Sequence, residues 1–155
     1  MVHNPHLLIL KAFTKMYGMA GVRLGYLLCS DPALLAKIQQ AGQPWPVSSL
    51  AQAAGLAALQ DRDYEIAVRR LIAAERPFLI DSLQKMGLRV MPGEANYLLF
   101  QSAVPLVKPL MQRGILLRSC ADYTGLNDSW YRTAVRTHAD NEQLLASLAA
   151  VLNIP

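Results

Sequence analysis

The chain has 155 residues, 53% of them hydrophobic and 17% charged, with a formal net charge of +4. That apolar share describes a packed globular protein and excludes an intrinsically disordered one. Lysines and arginines are scattered along the chain, so the positive surplus forms no stripe for nucleic acid and suits small anionic molecules instead.

Leu7 to Phe13 is a nearly continuous apolar run, as in a strand buried on both faces, and Val22 to Cys29 reads the same way, with Gly25 permitting close backbone approach. Asp31-Pro32 opens a helix, with Asp as N-cap and Pro in the first turn, and Leu34, Leu35 and Ile38 carry it to Gln40. Pro44 and Pro46 make Gln43 to Val47 a loop. Ser48 or Ser49 then caps an alanine-rich helix. A long helical pattern spans Asp63 to Met86, with Ile66, Leu71, Phe78, Leu79 and Leu83 on its apolar face, Pro77 as an interruption and Gly87 as the stop. Beyond Gly87 the period becomes that of strands. Leu88 to Val90 and Ala95 to Phe100 are strands, Val104 to Arg113 a helix, Ile115 to Arg118 and Trp130 to Val135 strands, and Asn141 to Leu152 a final helix. This order predicts an α/β piece over residues 1–62, followed by a small α+β domain over 63–155.

Cys29 and Cys120 have no ligand or redox spacing and read as buried, reduced thiols of a cytoplasmic protein. No apolar run nears the roughly 20 residues of a membrane span. The first residues lack the basic and apolar regions of a secretion signal. No metal is expected, because His3, His6 and His138 form neither ligand spacing nor a triad, and they read as incidental.

The chemistry concentrates at Thr14-Lys15-Met16-Tyr17-Gly18-Met19-Ala20-Gly21-Val22-Arg23-Leu24-Gly25. A lysine acts as a nucleophile only where apolar surroundings or neighbouring cations release its proton, and a strand end beside Arg23 offers both influences. Arg23 supplies a planar, permanently charged fork suited to phosphate, and Thr14 a hydroxyl donor. Arg118 and Arg132 are two further candidates for anions. Alternation puts Arg132 on one strand face with Ala134 and Arg136, opposite Thr133 and Val135. Arg136 reads as a structural or surface residue. Tyr17 and Trp45 read as packing groups.

The stretch around Lys15 resembles the lysine motif of fold-type I pyridoxal-phosphate enzymes of aminotransferase class I/II, whose usual form is Ser-x-Ser/Thr-Lys, then Gly-x-x-Gly-x-Arg-x-Gly. Ala12 departs from it, standing where the family often has a hydroxyl residue. Further stretches narrow the resemblance: Gln43-Pro44-Trp45-Pro46-Val47, Ala95-Asn96-Tyr97-Leu98-Leu99, Arg118-Ser119-Cys120 with Gly125-Leu126, and Tyr131 to Thr137. These are similar to the threonine-phosphate decarboxylases of cobalamin biosynthesis. The related histidinol-phosphate aminotransferases usually carry Gly at the place of Arg136 and Tyr-Asn at that of Trp45-Pro46.

The resemblance implies that pyridoxal 5'-phosphate is the cofactor, bound by Thr14, Lys15 and Arg23, with Lys15 as the catalytic amine. It implies a phosphorylated amino-acid substrate whose phosphate meets Arg118 and whose carboxylate meets Arg132, with Asn96 in support. It implies a homodimer, and a fold in which a partial large-domain segment of parallel strands and helices (1–62) precedes the C-terminal small domain (63–155). Decarboxylation to (R)-1-amino-2-propanol O-2-phosphate and transamination call on the same groups, so both stay open from the residues alone. Family members carry a further upstream part with the aromatic that stacks on the cofactor ring and the aspartate that pairs with its nitrogen. The chain is therefore expected to be a C-terminal portion and a poor catalyst by itself. A non-catalytic lobe that folds or dimerises is the alternative of a different class.

Overall fold

The computed structural model describes residues 4–154. The chain forms two compact units, Met1–Val68 and Arg69–Pro155.

In the first unit, β1 (Ile9–Ala12) and β2 (Gly25–Leu28) pair in register from Ile9 opposite Leu28 to Ala12 opposite Gly25. The pairing is antiparallel, where parallel strands were expected. A parallel partner needs a crossover that is usually a helix. Here the connection holds only a 3₁₀ turn at Ala20–Val22, and the chain reverses. The strands are also not buried on both faces: Leu10 is 76% exposed and Leu28 is 52% exposed. A continuous apolar run does not by itself say which layers cover it.

Helix α1 (Pro32–Ala41) starts as read, with the Asp31 carboxylate accepting the backbone N–H groups of Ala33 and Leu34 at 2.8 and 3.2 Å. Helix α2 (Ser49–Gln60) is capped by the Ser48 hydroxyl, which accepts from the N–H of Ala51. Among the described residues of this unit, Phe13, Ala51 and Gly55 are buried. A Cβ on Gly55 would overlap the Leu24 side chain, so α2 lies close against the segment leading into β2. Cys29 is half-buried and free.

Helix α3 (Arg62–Lys85) contains the boundary between the units and runs through Pro77 without a break. Pro77 and Ala73 are both exposed, on a part of the helix that water reaches. The helix ends on Gly87 at φ +78°, with Gly87 N–H bonding the Gln84 carbonyl and Leu88 N–H the Leu83 carbonyl. This is the left-handed cap that the glycine foretold.

The second unit follows the expected order of elements: β3 (Arg89–Val90), β4 (Tyr97–Gln101), α4 (Val107–Met111), β5 (Arg118–Ser119), β6 (Trp130–Ala134) and α5 (His138–Leu152). The strands form one antiparallel sheet in the order β3-β4-β6-β5. Strand β5 begins later than Ile115, because Gly114 at φ +77° and the bond from Ile115 N–H to the Leu110 carbonyl close the preceding helix first. Leu98, Phe100 and Tyr131 point to one face and are buried with Leu79 and Leu83 of α3 and Leu144, Leu145 and Leu148 of α5. Each such side chain stabilises the fold by about 1.5–3 kcal/mol relative to exposure. The opposite face carries Tyr97, Leu99, Trp130 and Arg132.

Candidate active site

Lys15 sits in the turn that leaves β1. Phe13, 3% exposed, anchors that turn: its N–H bonds the Leu24 carbonyl at 3.1 Å and its carbonyl accepts from Met19 N–H at 3.1 Å. Its ring stacks on Tyr17 with centroids 5.1 Å apart and meets Tyr26 edge-on at 5.9 Å. Tyr17 thus packs, as its sequence reading expects. Gly18 adopts φ +64°, and its N–H bonds the Lys15 carbonyl. Gly25 has the close approach that was expected of it, since a Cβ there would lie 2.8 Å from the Lys11 carbonyl oxygen.

Beyond the Ala12–Gly25 pair the Phe13 N–H still bonds the Leu24 carbonyl, and the ladder ends there, with Thr14 in the turn that follows and Arg23 in the left-handed region. The two residues read as phosphate ligands therefore flank one end of the hairpin, with Lys15 next in the chain. Lys15 and Arg23 are exposed and Thr14 is half-buried. Arg23 stands at φ 55°, ψ 45°, the left-handed region that a side chain of its size rarely occupies, and one guanidinium N–H donates to the Ala20 carbonyl at 3.4 Å. No feature of the sequence announced that backbone state.

In the second unit Arg118 and Arg132 are direct register partners across β5 and β6, on the face away from the core. Between them stands the loop that joins these strands. The Arg118 guanidinium bonds the Asp122 carboxylate at 2.6 Å and lies 5.8 Å from the Tyr123 ring centre. Hydrogen bonding to Asp122, and then its charge, push the already high pKa of Arg118 further up. Arg132 donates to the Tyr123 hydroxyl at 3.2 Å and sits 4.9 Å above the Tyr97 ring. Asn96 is exposed, and its carbonyl accepts from Val135 N–H at 2.9 Å, extending the β4–β6 ladder. Arg136 pairs with Asp140 at 3.1 Å, a surface role as read.

Two residues depart from their sequence reading. Trp45 is 94% exposed at φ 49°, so it is no packing group within its unit. His138 is not incidental. Its Nδ1 lies 3.1 Å from Glu75, its Nε2 3.4 Å from Glu142, and its ring 4.7 Å from Phe78. Asn141 beside it is 1% exposed and donates to Glu75 and the Arg136 carbonyl while accepting from the Arg136 N–H. Only their placement near a helix start was visible in the sequence. His3 lies outside the described residues. Among the described residues no His, Cys, Asp and Glu group could hold a metal, and no helix is long and apolar enough to cross a membrane.

Comparison with known proteins matches a family model, "Aminotransferase class I and II", to residues 1–148. The chain is 42% identical to a threonine-phosphate decarboxylase of Salmonella typhimurium over 96% of its length and 42% of that protein. It is 38% identical to a histidinol-phosphate aminotransferase of Symbiobacterium thermophilum over 96% of its length and 41% of that protein. Its backbone superposes with a TM-score of 0.85 on the histidinol-phosphate aminotransferase of Sinorhizobium meliloti, solved in complex with pyridoxal-5'-phosphate. That match covers 99% of this chain and 43% of the other, at 26% identity. The chain thus spans less than half the length of the relatives it matches.

Proposed function

The chain belongs to the class I and II aminotransferase family, and from that premise we propose that it forms part of a pyridoxal-phosphate enzyme acting on a phosphorylated amino acid. The residues at the hairpin end fit the cofactor's chemistry: a solvent-accessible amine for its aldehyde, and a hydroxyl and a guanidinium, each next to the last bonded pair of the hairpin, for its phosphate. In this reading Thr14 and Arg23 hold that phosphate and Lys15 is the catalytic amine. When bound, the cofactor supplies an electron sink for the bond broken at the substrate α-carbon. The Lys15 amine holds or moves the proton at that carbon. Arg118 takes the substrate phosphate, Arg132 its carboxylate, and Asn96 supports them. Residues 1–62 serve as the cofactor-binding part and 63–155 as the small domain.

The observation that carries the proposal is the Arg118–Arg132 register pair, two arginines opposite one another on neighbouring strands, which suits a ligand with two anionic groups. For the reaction we favour decarboxylation of L-threonine O-3-phosphate to (R)-1-amino-2-propanol O-2-phosphate, a step of cobalamin biosynthesis. Support comes from the higher sequence identity to the Salmonella decarboxylase, 42% against 38%, and from Arg136 and Trp45-Pro46. A histidinol-phosphate aminotransferase activity is the second reading, supported by the similar likeness to that enzyme. In either case the enzyme is proposed to be a cytoplasmic homodimer, consistent with Leu10, Trp45 and Leu50, at 76%, 94% and 82% exposure. The chain alone is proposed to take up cofactor with little turnover. Borohydride reduction after incubation with pyridoxal phosphate, followed by peptide mapping, should leave the cofactor on Lys15 and nothing in Lys15→Ala. An unlabelled Lys15 in a folded chain favours a non-catalytic lobe. Carbon dioxide release against amino-group transfer, in an enzyme completed to the relatives' length, decides between the two reactions.

A further inference from the structure

The loop between β5 and β6 does more than join them. Buried Cys120 roots it, at 2% exposure, and its turn is closed by the bonds from Tyr123 N–H to the Cys120 carbonyl and from Leu126 N–H to the Tyr123 carbonyl. It delivers a carboxylate to Arg118 at 2.6 Å and a phenol to Arg132 at 3.2 Å. The two guanidiniums meet chemically different partners. Arg132 meets a neutral hydroxyl and a ring, whereas Arg118 meets an anion, the Asp122 carboxylate. Asp122 is itself exposed, with 64% of its side chain accessible, so burial does not force this pairing.

We propose that Asp122 is an intramolecular competitor for the anion site on Arg118, setting the affinity a ligand needs to occupy it. The proposal rests on Arg118 and Arg132 forming an anion site, and it names the residue that regulates entry. A phosphate monoester carries close to two charges and three strong acceptor oxygens, and so displaces a single tethered carboxylate where a weak monoanion at low concentration does not. An equilibrium in which the site is already partly filled lowers the apparent affinity of every incoming anion by the same factor.

That equality makes the idea testable with two simple ions. Inorganic phosphate and acetate are titrated into the full chain, into Asp122→Asn and into Arg118→Gln, following by NMR the backbone amide resonances of Ser119 and Tyr123, which all three retain. An exposed ion pair of this type corresponds to a gain of about two- to fivefold in affinity, and competition predicts the same gain for both ions. A gain clearly larger for phosphate overturns the proposal, because repulsion through space scales with ligand charge. An unchanged or weaker phosphate affinity in Asp122→Asn, with Arg118→Gln still losing phosphate, overturns it as well and leaves the anion site standing. If Arg118→Gln binds phosphate as the natural chain does, the anion-site reading itself fails.

Discussion

Gly25→Ala tests whether the close pairing of β1 and β2 holds the Lys15 turn together. The added Cβ would lie 2.8 Å from the Lys11 carbonyl oxygen, a backbone atom that cannot swing aside. The strands must separate by several tenths of an ångström at the end that feeds Phe13, Thr14 and Lys15 on one side and Arg23 and Leu24 on the other. Overpacking of this kind costs about 1–3 kcal/mol, against about 0.4–1 kcal/mol gained from a stiffer unfolded chain, leaving about 1–2 kcal/mol of destabilisation. Amide exchange of β1 and β2 should therefore rise about five- to thirtyfold, with β4 and β6 as unaffected internal references. Cofactor trapping on Lys15 should slow in parallel. Gly21→Ala is the control, since no atom lies within 4 Å of its added Cβ; it should keep or raise stability, by up to about 1 kcal/mol. Unchanged protection in Gly25→Ala would refute the argument that contact at this glycine sets the geometry of the turn.

Three further outcomes follow from the second unit. Asn141→Ala removes three hydrogen bonds from a side chain that is 1% exposed and strands the Arg136 N–H and carbonyl; urea unfolding should show a loss of about 2–3 kcal/mol, and a loss below half of that would mean water replaces the amide. Asp140 is held below the usual carboxylate range by the Thr137 hydroxyl and then by Arg136. Its contribution is present above the unfolded pKa and lost as pH falls through the depressed folded value. Asp140→Asn should therefore be less stable than the natural chain at neutral pH, with the gap closing below about pH 4; a gap that widens in acid contradicts the sign. Arg132→Val should leave the unfolding midpoint nearly unchanged, since relief of a like-charge cross-strand pair (about 0.2–1 kcal/mol) offsets a lost ring contact (about 0.5–1 kcal/mol). Acetate contacts near β6 should be lost in that variant while those at Arg118 remain, and a large loss of stability would make Arg132 structural.

What the sequence made legible is chemistry that closes within four or five residues. Asp31 and Ser48 cap their helices with their own side chains, and Gly87 ends α3 in the left-handed state, because each needs only neighbours along the chain. Alternation was enough to assign Arg132 to the face away from Thr133 and Val135. The start of α5 was missed by three residues, since Thr137 gave a weaker signal than the apolar period that begins further on. His138 and Asn141 were unreadable for a different reason: their partner Glu75 lies more than sixty positions away. The left-handed Arg23 and the exposed Trp45 are set by how the turn and loop close around them. No propensity for Arg or Trp anticipates either.

The residues proposed to bind anions stand where the fold gains least from them. Arg136 and Arg76 have acidic partners, Asp140 and Glu94, and serve to tie elements together. Arg118 and Arg132 face one another across a ladder in which like charges are unfavourable, and Arg23 holds a backbone state costing on the order of 1–3 kcal/mol. Arg118 is exposed and Arg132 only half-buried on this sheet face, so packing repays little of the repulsion. A loop carboxylate and two tyrosine rings temper it without neutralising both charges. A bound dianion would neutralise what the fold leaves unbalanced. The local unfavourable terms are thus the positions at which ligand binding has the most free energy to contribute.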